Sequence, residues 1–200
     1  EQLERLRAKY GLDDPLYMRY LHWAGDLVRG DWGTSFNTGQ PVLAMIGERI
    51  PATLLLTGLA FLVTLILAFP IGIISAARQY SLFDYIATTA AFLGIAVPSF
   101  WLALMFLYVF TFSLGWLPAV GLGDPRQQYE GFAAVVDRAR HLIMPVGVLA
   151  LVSTASLTRY VRAAMLDVLG QDYMRTARGK GLTERAALMR HALKNAAIPV

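Results

Sequence analysis

The sequence predicts an all-α protein that crosses a membrane several times, here a fragment carrying three transmembrane helices. Three observations carry that prediction. Hydrophobic residues make up 56% of the 200 residues and charged ones only 16%, against about 25% charged in soluble domains. Three stretches hold no charge at all: Ile50 to Ala77, Tyr85 to Gly123 and Leu142 to Thr158. A bilayer core about 30 Å thick takes about 20 apolar residues as helix, and each stretch approaches or passes that length.

Residues 1 to 49 are polar and mixed. Leu3, Leu6 and Tyr10 suggest a short amphipathic helix ending near Gly11. Asp13-Asp14-Pro15 reads as a helix start, with Tyr17, Tyr20, Leu21 and Leu27 as its apolar stripe. Gly30 to Ser35 reads as a loop, and Pro41 opens a helix through Val42, Ile46 and Ile50.

The first span is expected at about 52–77. Pro51 suits its first turn and Pro70 predicts a kink. Ala60, Thr64, Ala68, Gly72 and Ala76 recur every four residues, a spacing of small side chains that lets another helix approach closely. The competing reading, a buried helix of a soluble protein, fits poorly with the length.

Arg78 to Asp84 forms a short polar turn. The second span is expected as one long helix over about 85–114, distorted near Pro98. Its alternative is a re-entrant break at Val97-Pro98-Ser99. Trp116, Pro118 and Gly121 then form an interfacial exit, where Trp is favoured. Residues 124 to 141 read as a polar loop with helical content from Gly131 to Arg140.

The third span is expected at about 142–160, with Arg159 snorkelling to the interface. Ser153, Thr154, Ser156 and Thr158 make its second half polar. Such residues face other helices or a water-filled path. Ser153 and Thr154 are the candidates for a substrate path, beside the plainer reading of helix contact.

From Arg162 the pattern is polar, basic and helical, broken at Gly179 and Gly181. Thr183 is placed to cap a new helix, with Glu184 in its first turn. Arg159 to Lys194 holds eight basic and three acidic residues, which marks it as cytoplasmic by the positive-inside rule. Three spans then put residues 78–84 inside and residues 1–49 and 118–141 outside. The expected organisation is an external segment over 1–49 and a transmembrane domain over 50–200, with a cytoplasmic loop at about 161–195.

The function classes that remain are few. The net charge of +4 arises largely in that one loop, so no nucleic-acid partner is expected. Without cysteine there is no disulfide and no thiolate metal site. His22, His141 and His191 fall in three separate segments and read as ordinary histidines, so no metal site is expected. No His-Glu-x-x-His, Gly-x-Ser-x-Gly or paired-carboxylate pattern is present, so neither catalytic residues nor a cofactor is expected. Gly179-Lys180-Gly181 fails as a phosphate loop, since Met174 stands where that pattern needs glycine and Gly181 where it needs Ser or Thr. No charge lies inside the spans, which argues against an ion-gradient relay.

The segment Arg175-Thr176-Ala177-Arg178-Gly179-Lys180-Gly181-Leu182-Thr183-Glu184-Arg185, followed by His191-Ala192-Leu193-Lys194-Asn195-Ala196, resembles the cytoplasmic loop of binding-protein-dependent ABC importer permeases. That loop runs Glu-Ala-Ala, three residues, Gly, nine residues, Ile-x-Leu-Pro. Ala177, Gly181 and Leu193 match it; Arg175, Thr176, His191 and Lys194 depart from it. The departures resemble the variant in dipeptide, oligopeptide, glutathione and nickel permeases. Leu12-Asp13-Asp14-Pro15 with Tyr20, Gly30 to Ser35, Pro51-Ala52-Thr53-Leu54, Pro98-Ser99-Phe100-Trp101 and Leu114 to Pro118 are similar to further segments of that family, in the same order.

The resemblance implies a six-helix permease, with one helix before Glu1 and two after Val200. It implies a path for di- or oligopeptides in a bacterial inner membrane. Nickel or glutathione import is the near alternative, and an ATPase-independent channel or scaffold is the reading from another class. It implies a second permease subunit, two ATP-binding subunits, an external solute-binding protein and surrounding lipid as partners, with ATP hydrolysis on the separate subunits. It assigns ATPase coupling to Ala177, Gly181, Leu182, Thr183, Glu184 and Arg185.

Overall fold

The computed structural model describes Glu4, Arg7 and residues 13–124, 126–127, 129–188 and 192–196. The expected helix of Leu3, Leu6 and Tyr10 up to Gly11, the histidine His191 and the stretch 197–200 lie outside the described residues. Among the described residues there is no β-strand, only an isolated bridge between Thr34 and Pro41. The chain divides into two compact units, Glu1–Thr53 and Leu54–Val200.

In the first unit, helix α1 (Leu16–Val28) follows Pro15. Proline suits the residue ahead of a helix because its missing N–H is one that would go unpaired there. The following loop closes on itself: Ser35 N–H donates to Gln40 O at 2.9 Å and Val42 N–H to Gly33 O at 3.0 Å. Helix α2 (Val42–Ala77) then begins. It runs as one helix through Pro51 and Pro70, so Pro51 does not stand in a first turn. Apolar surroundings favour keeping every other backbone hydrogen bond, and proline is tolerated within such spans.

The rest of α2 belongs to the second unit. The outward side chains Leu54, Phe61, Leu62 and Ile66 of α2 are exposed, as a lipid-facing surface requires. Its small residues Ala60, Thr64, Ala68, Gly72 and Ala76 are all buried. Helix α3 (Leu82–Ala96) is capped by Ser81, whose Oγ accepts from Asp84 N–H at 3.2 Å.

The sequence reading expects one helix distorted near Pro98. The chain instead makes two, α3 and α4 (Ser99–Phe106), with α4 continuing as a π-helix over Leu107–Ser113. The bend between them is 98°. Pro98 offers no N–H and pushes the preceding residue out of the helical region, and Val97 accordingly sits at ψ 124. The break belongs to the Val97-Pro98-Ser99 alternative.

Helix α5 (Gly131–Leu169) spans 39 residues, about 58 Å at the usual rise. It absorbs both the polar segment from Gly131 and the third apolar stretch, passing through Pro145. The near-minimal length of the third stretch is therefore no limit. Short helices α6 (Asp172–Gly179), α7 (Glu184–Ala187) and α8 (Leu193–Ala196) complete the described chain. Among the described residues, two helices are long and apolar enough to cross a membrane, and the bent pair makes a third candidate.

Candidate coupling loop and its anchorage

Two glycines bring helices of the second unit into close contact. A Cβ on Gly72 would stand 2.7 Å from Val161 Cγ1 and 3.0 Å from Thr158 O. One on Gly94 would stand 2.8 Å from Ala155 Cβ. Both α2 and α3 thus rest directly on α5, at distances no larger side chain permits. Thr64 adds a short hydrogen bond to Ala60 O at 2.8 Å, with Ala150 O of α5 at 3.5 Å.

Below these contacts α6, α7 and α8 fold back onto the ends of α2 and α5. Ala76 of α2, Val161 and Met165 of α5, Met174 of α6, Ala187 of α7, and Ala192 and Ala196 form one buried cluster. Small residues line most of it, and the two methionines, both fully buried, fill the space between.

The turn after α6 has a defined ending. Gly181 stands at φ +82, a conformation that L side chains rarely adopt. Leu182 N–H donates to Ala177 O at 3.3 Å and Lys180 N–H to Thr176 O at 3.0 Å. This is the six-to-one closure of a helix C-terminus around a left-handed glycine. Ala177 and Leu182 are the two ends of that closure, and Gly181 is the left-handed residue between them. Thr183 then caps α7, its Oγ1 accepting from Ala186 N–H at 3.3 Å.

Ala177 is buried, Leu182 half-buried, and Gly181 and Thr183 exposed. Glu184 opens α7, with Arg185 next in it. These residues therefore share one turn-and-helix corner. Ser153 and Thr154 do not share a surface: Ser153 is exposed and Thr154 buried. Thr154 lines an apolar cavity of about 520 Å³ between α2, α3 and α5, with Leu67, Ile86 and Ala90. Its hydroxyl has no hydrogen-bond partner among the described residues.

The most heavily bonded polar group was not singled out from the sequence. Asp84, at the start of α3, is 3% exposed. Arg162 of α5 donates to it through Nε at 2.7 Å and Nη2 at 2.8 Å. Ser75 of α2 donates its hydroxyl to the same carboxylate and accepts from Arg162 Nε at 3.2 Å. Tyr80 N–H donates to Asp84 Oδ2 at 3.0 Å, which holds Tyr80 at its left-handed φ of 64. Three helices and the α2–α3 turn thus meet on one carboxylate. A forked arginine–carboxylate pair is both strong and directional.

Arg159 lies one turn earlier, its guanidinium 5.2 Å from the centroid of the Phe92 ring, so it stacks on α3 rather than only reaching for the interface. His141 is buried and its Nδ1 lies 2.8 Å from Asp137 O, within its own helix. His22 is exposed on α1. Among the described residues no group of acidic or histidine side chains is arranged to hold a metal ion.

With this geometry the comparisons with known proteins agree. The family described as binding-protein-dependent transport system inner membrane component matches over residues 68–200. The chain belongs to that family. It is a multi-pass inner-membrane component, and its matched region takes in the α2 end, the Asp84–Arg162 pair and the Gly181 corner. Oligopeptide transport system permease protein AppB of Bacillus subtilis (strain 168) is 46% identical over 198 residues, covering 98% of this chain and 61% of the relative. A putative peptide permease protein of Brucella suis biovar 1 (strain 1330) is 40% identical over 200 residues, covering 100% and 61%. Dipeptide transport system permease protein DppB of Alkalihalophilus pseudofirmus is 37% identical over 209 residues, covering 98% and 63%. The chain thus spans about three-fifths of the length of these relatives.

Proposed function

We propose that this inner-membrane component is a permease subunit of an ATP-driven importer, forming part of the membrane path for di- or oligopeptides. The observation that carries the proposal is likeness along the whole chain to proteins named as oligopeptide and dipeptide permeases. The corner at Gly181 supports its coupling part. A glycine-closed helix followed by a capped exposed turn presents a short knob, and the buried cluster beneath connects that knob to two long helices.

In this reading the corner from Ala177 to Arg185 sits in the groove of an ATP-binding subunit. Closure of that subunit around ATP pushes on α7 and moves α2 and α5. Residues 78–84 and 161–195 lie on the cytoplasmic side, and residues 1–49 on the outer side. A second permease subunit completes the path, two ATP-binding subunits drive it, and an external binding protein delivers the solute. The permease carries out no chemistry; it exposes its path to each side in turn. Ser153 and Thr154 remain the candidates for that path.

The test is co-purification of the complete protein with its ATP-binding subunits, alongside a Gly181→Trp, Glu184→Arg variant. The proposal expects the wild type to retain the ATP-binding subunits and the variant to lose them, or to lose peptide-dependent hydrolysis. A wild type that retains none, or a variant that behaves identically, favours a channel or scaffold instead.

A further inference from the structure

Among the described residues, helix α3 contributes none to the buried cluster under the Gly181 corner. That cluster is built from α2, α5 and the segments after α5. Gly94 brings α3 against α5 at its far end, beside Ala155. At the near end the polar link is the Asp84–Arg162 fork. The fork and the cluster occupy the same rungs: Ser75 adjoins Ala76 on α2, and Arg162 adjoins Val161 on α5.

We propose that Asp84 and Arg162 are positioning residues for coupling. Their forked ion pair, tied to Ser75, fastens the start of α3 to α5, so that displacement delivered at the Gly181 corner moves α2, α3 and α5 together. The proposal rests on the reading of that corner as the ATPase-coupling element.

The chemistry suits the role. Apolar contacts between helices depend on area and carry no fixed direction of their own. Two near-parallel N–H···O bonds resist both separation and rotation. Asp84 is almost wholly buried and Arg162 one quarter exposed, so water competes poorly for the carboxylate. The same carboxylate fixes the α2–α3 turn through Tyr80 N–H, so the tie extends to the connection between the two helices.

The test uses the assembled transporter in proteoliposomes, reading peptide uptake, ATP hydrolysis and the amount of assembled complex. Asp84→Asn removes the ion pair and Arg162→Lys keeps the charge but loses the fork. Peptide taken up per ATP hydrolysed is expected to fall roughly tenfold in Asp84→Asn, a typical size for coupling between sites, and by less in Arg162→Lys. The exchanged Asp84→Arg, Arg162→Asp pair is expected to recover part of the ratio. Should Asp84→Asn fail to assemble, Arg162→Lys reads the same ratio. Variants that assemble and keep the wild-type ratio overturn the proposal and leave the coupling reading standing. Variants that only lower the amount of complex, its ratio unchanged, show a folding role and also overturn it. A wild type whose uptake ignores ATP overturns the coupling reading itself, and this proposal with it.

Discussion

Within the second unit, the glycine contacts and the α2–α3 corner solve the same problem in opposite ways. At the glycine contacts, α2 and α3 meet α5 through absent side chains: Gly72 on Val161 and Gly94 on Ala155. At the corner, they meet it through a buried carboxylate that receives hydrogen bonds from Arg162, Ser75 and Tyr80, with a longer one from Thr88 Oγ1 at 3.4 Å. Lipid offers no hydrophobic drive for one helix to prefer another, so close packing must supply the attraction. Packing by small residues sets distance. A forked ion pair also sets orientation.

The comparison can be broken from either side. The largest effect is expected at the corner. Asp84→Ala leaves Arg162 without its partner and should cost about 3 kcal/mol, the lower end for a buried pair because Arg162 is partly exposed. Thermal denaturation of the purified protein in detergent reads that loss. At the glycine contacts, Gly72→Val forces α2 away from Val161 and Thr158 and should cost about 2 kcal/mol. The same denaturation measurement checks it, and Gly58→Val, where an added Cβ meets nothing within 4 Å, serves as its control.

Smaller effects sharpen the picture. Thr183→Ala removes the cap of α7 and should cost about 1 kcal/mol, seen as faster amide exchange over Glu184–Ala187. Thr154→Val replaces a buried hydroxyl that lacks a partner among the described residues with a methyl of similar shape, and such exchanges are neutral or stabilising. A clear drop in melting temperature for Thr154→Val would instead mean that the hydroxyl is bonded in the complete protein.

The two regions were unequally legible in the sequence. Small residues four apart sit on one face of a helix, so the buried stripe from Ala60 to Ala76 could be read from spacing alone. The turn at Gly181 and the Thr183 cap are equally local, since both follow from residues within one or two turns. The Asp84–Arg162 pair joins residues 78 positions apart, and no periodicity reports such a partner. A weaker signal did exist. Asp84 and Arg162 each stand just beyond an uncharged stretch, and the charge distribution puts both stretch ends on one side. Opposite charges at one depth are natural partners. The break at Pro98 was legible only as an alternative, because proline is kept inside α2 and α5 at Pro70 and Pro145 and ends a helix only before Ser99. What differs is the surrounding packing, which local sequence does not carry.

The central claim is that the Gly181 corner and the start of α3 belong to one body with the ends of α2 and α5. The chain has no cysteine, so a spin-label pair can be introduced directly at exposed sites, Leu82→Cys before the fork and Tyr173→Cys on α6. Distances between them should be measured in the assembled transporter without nucleotide and with ATP trapped. The account predicts one narrow distribution that stays in place between the two states and broadens when Asp84→Asn is added. A distribution that shifts between the states in the otherwise unaltered protein would contradict it.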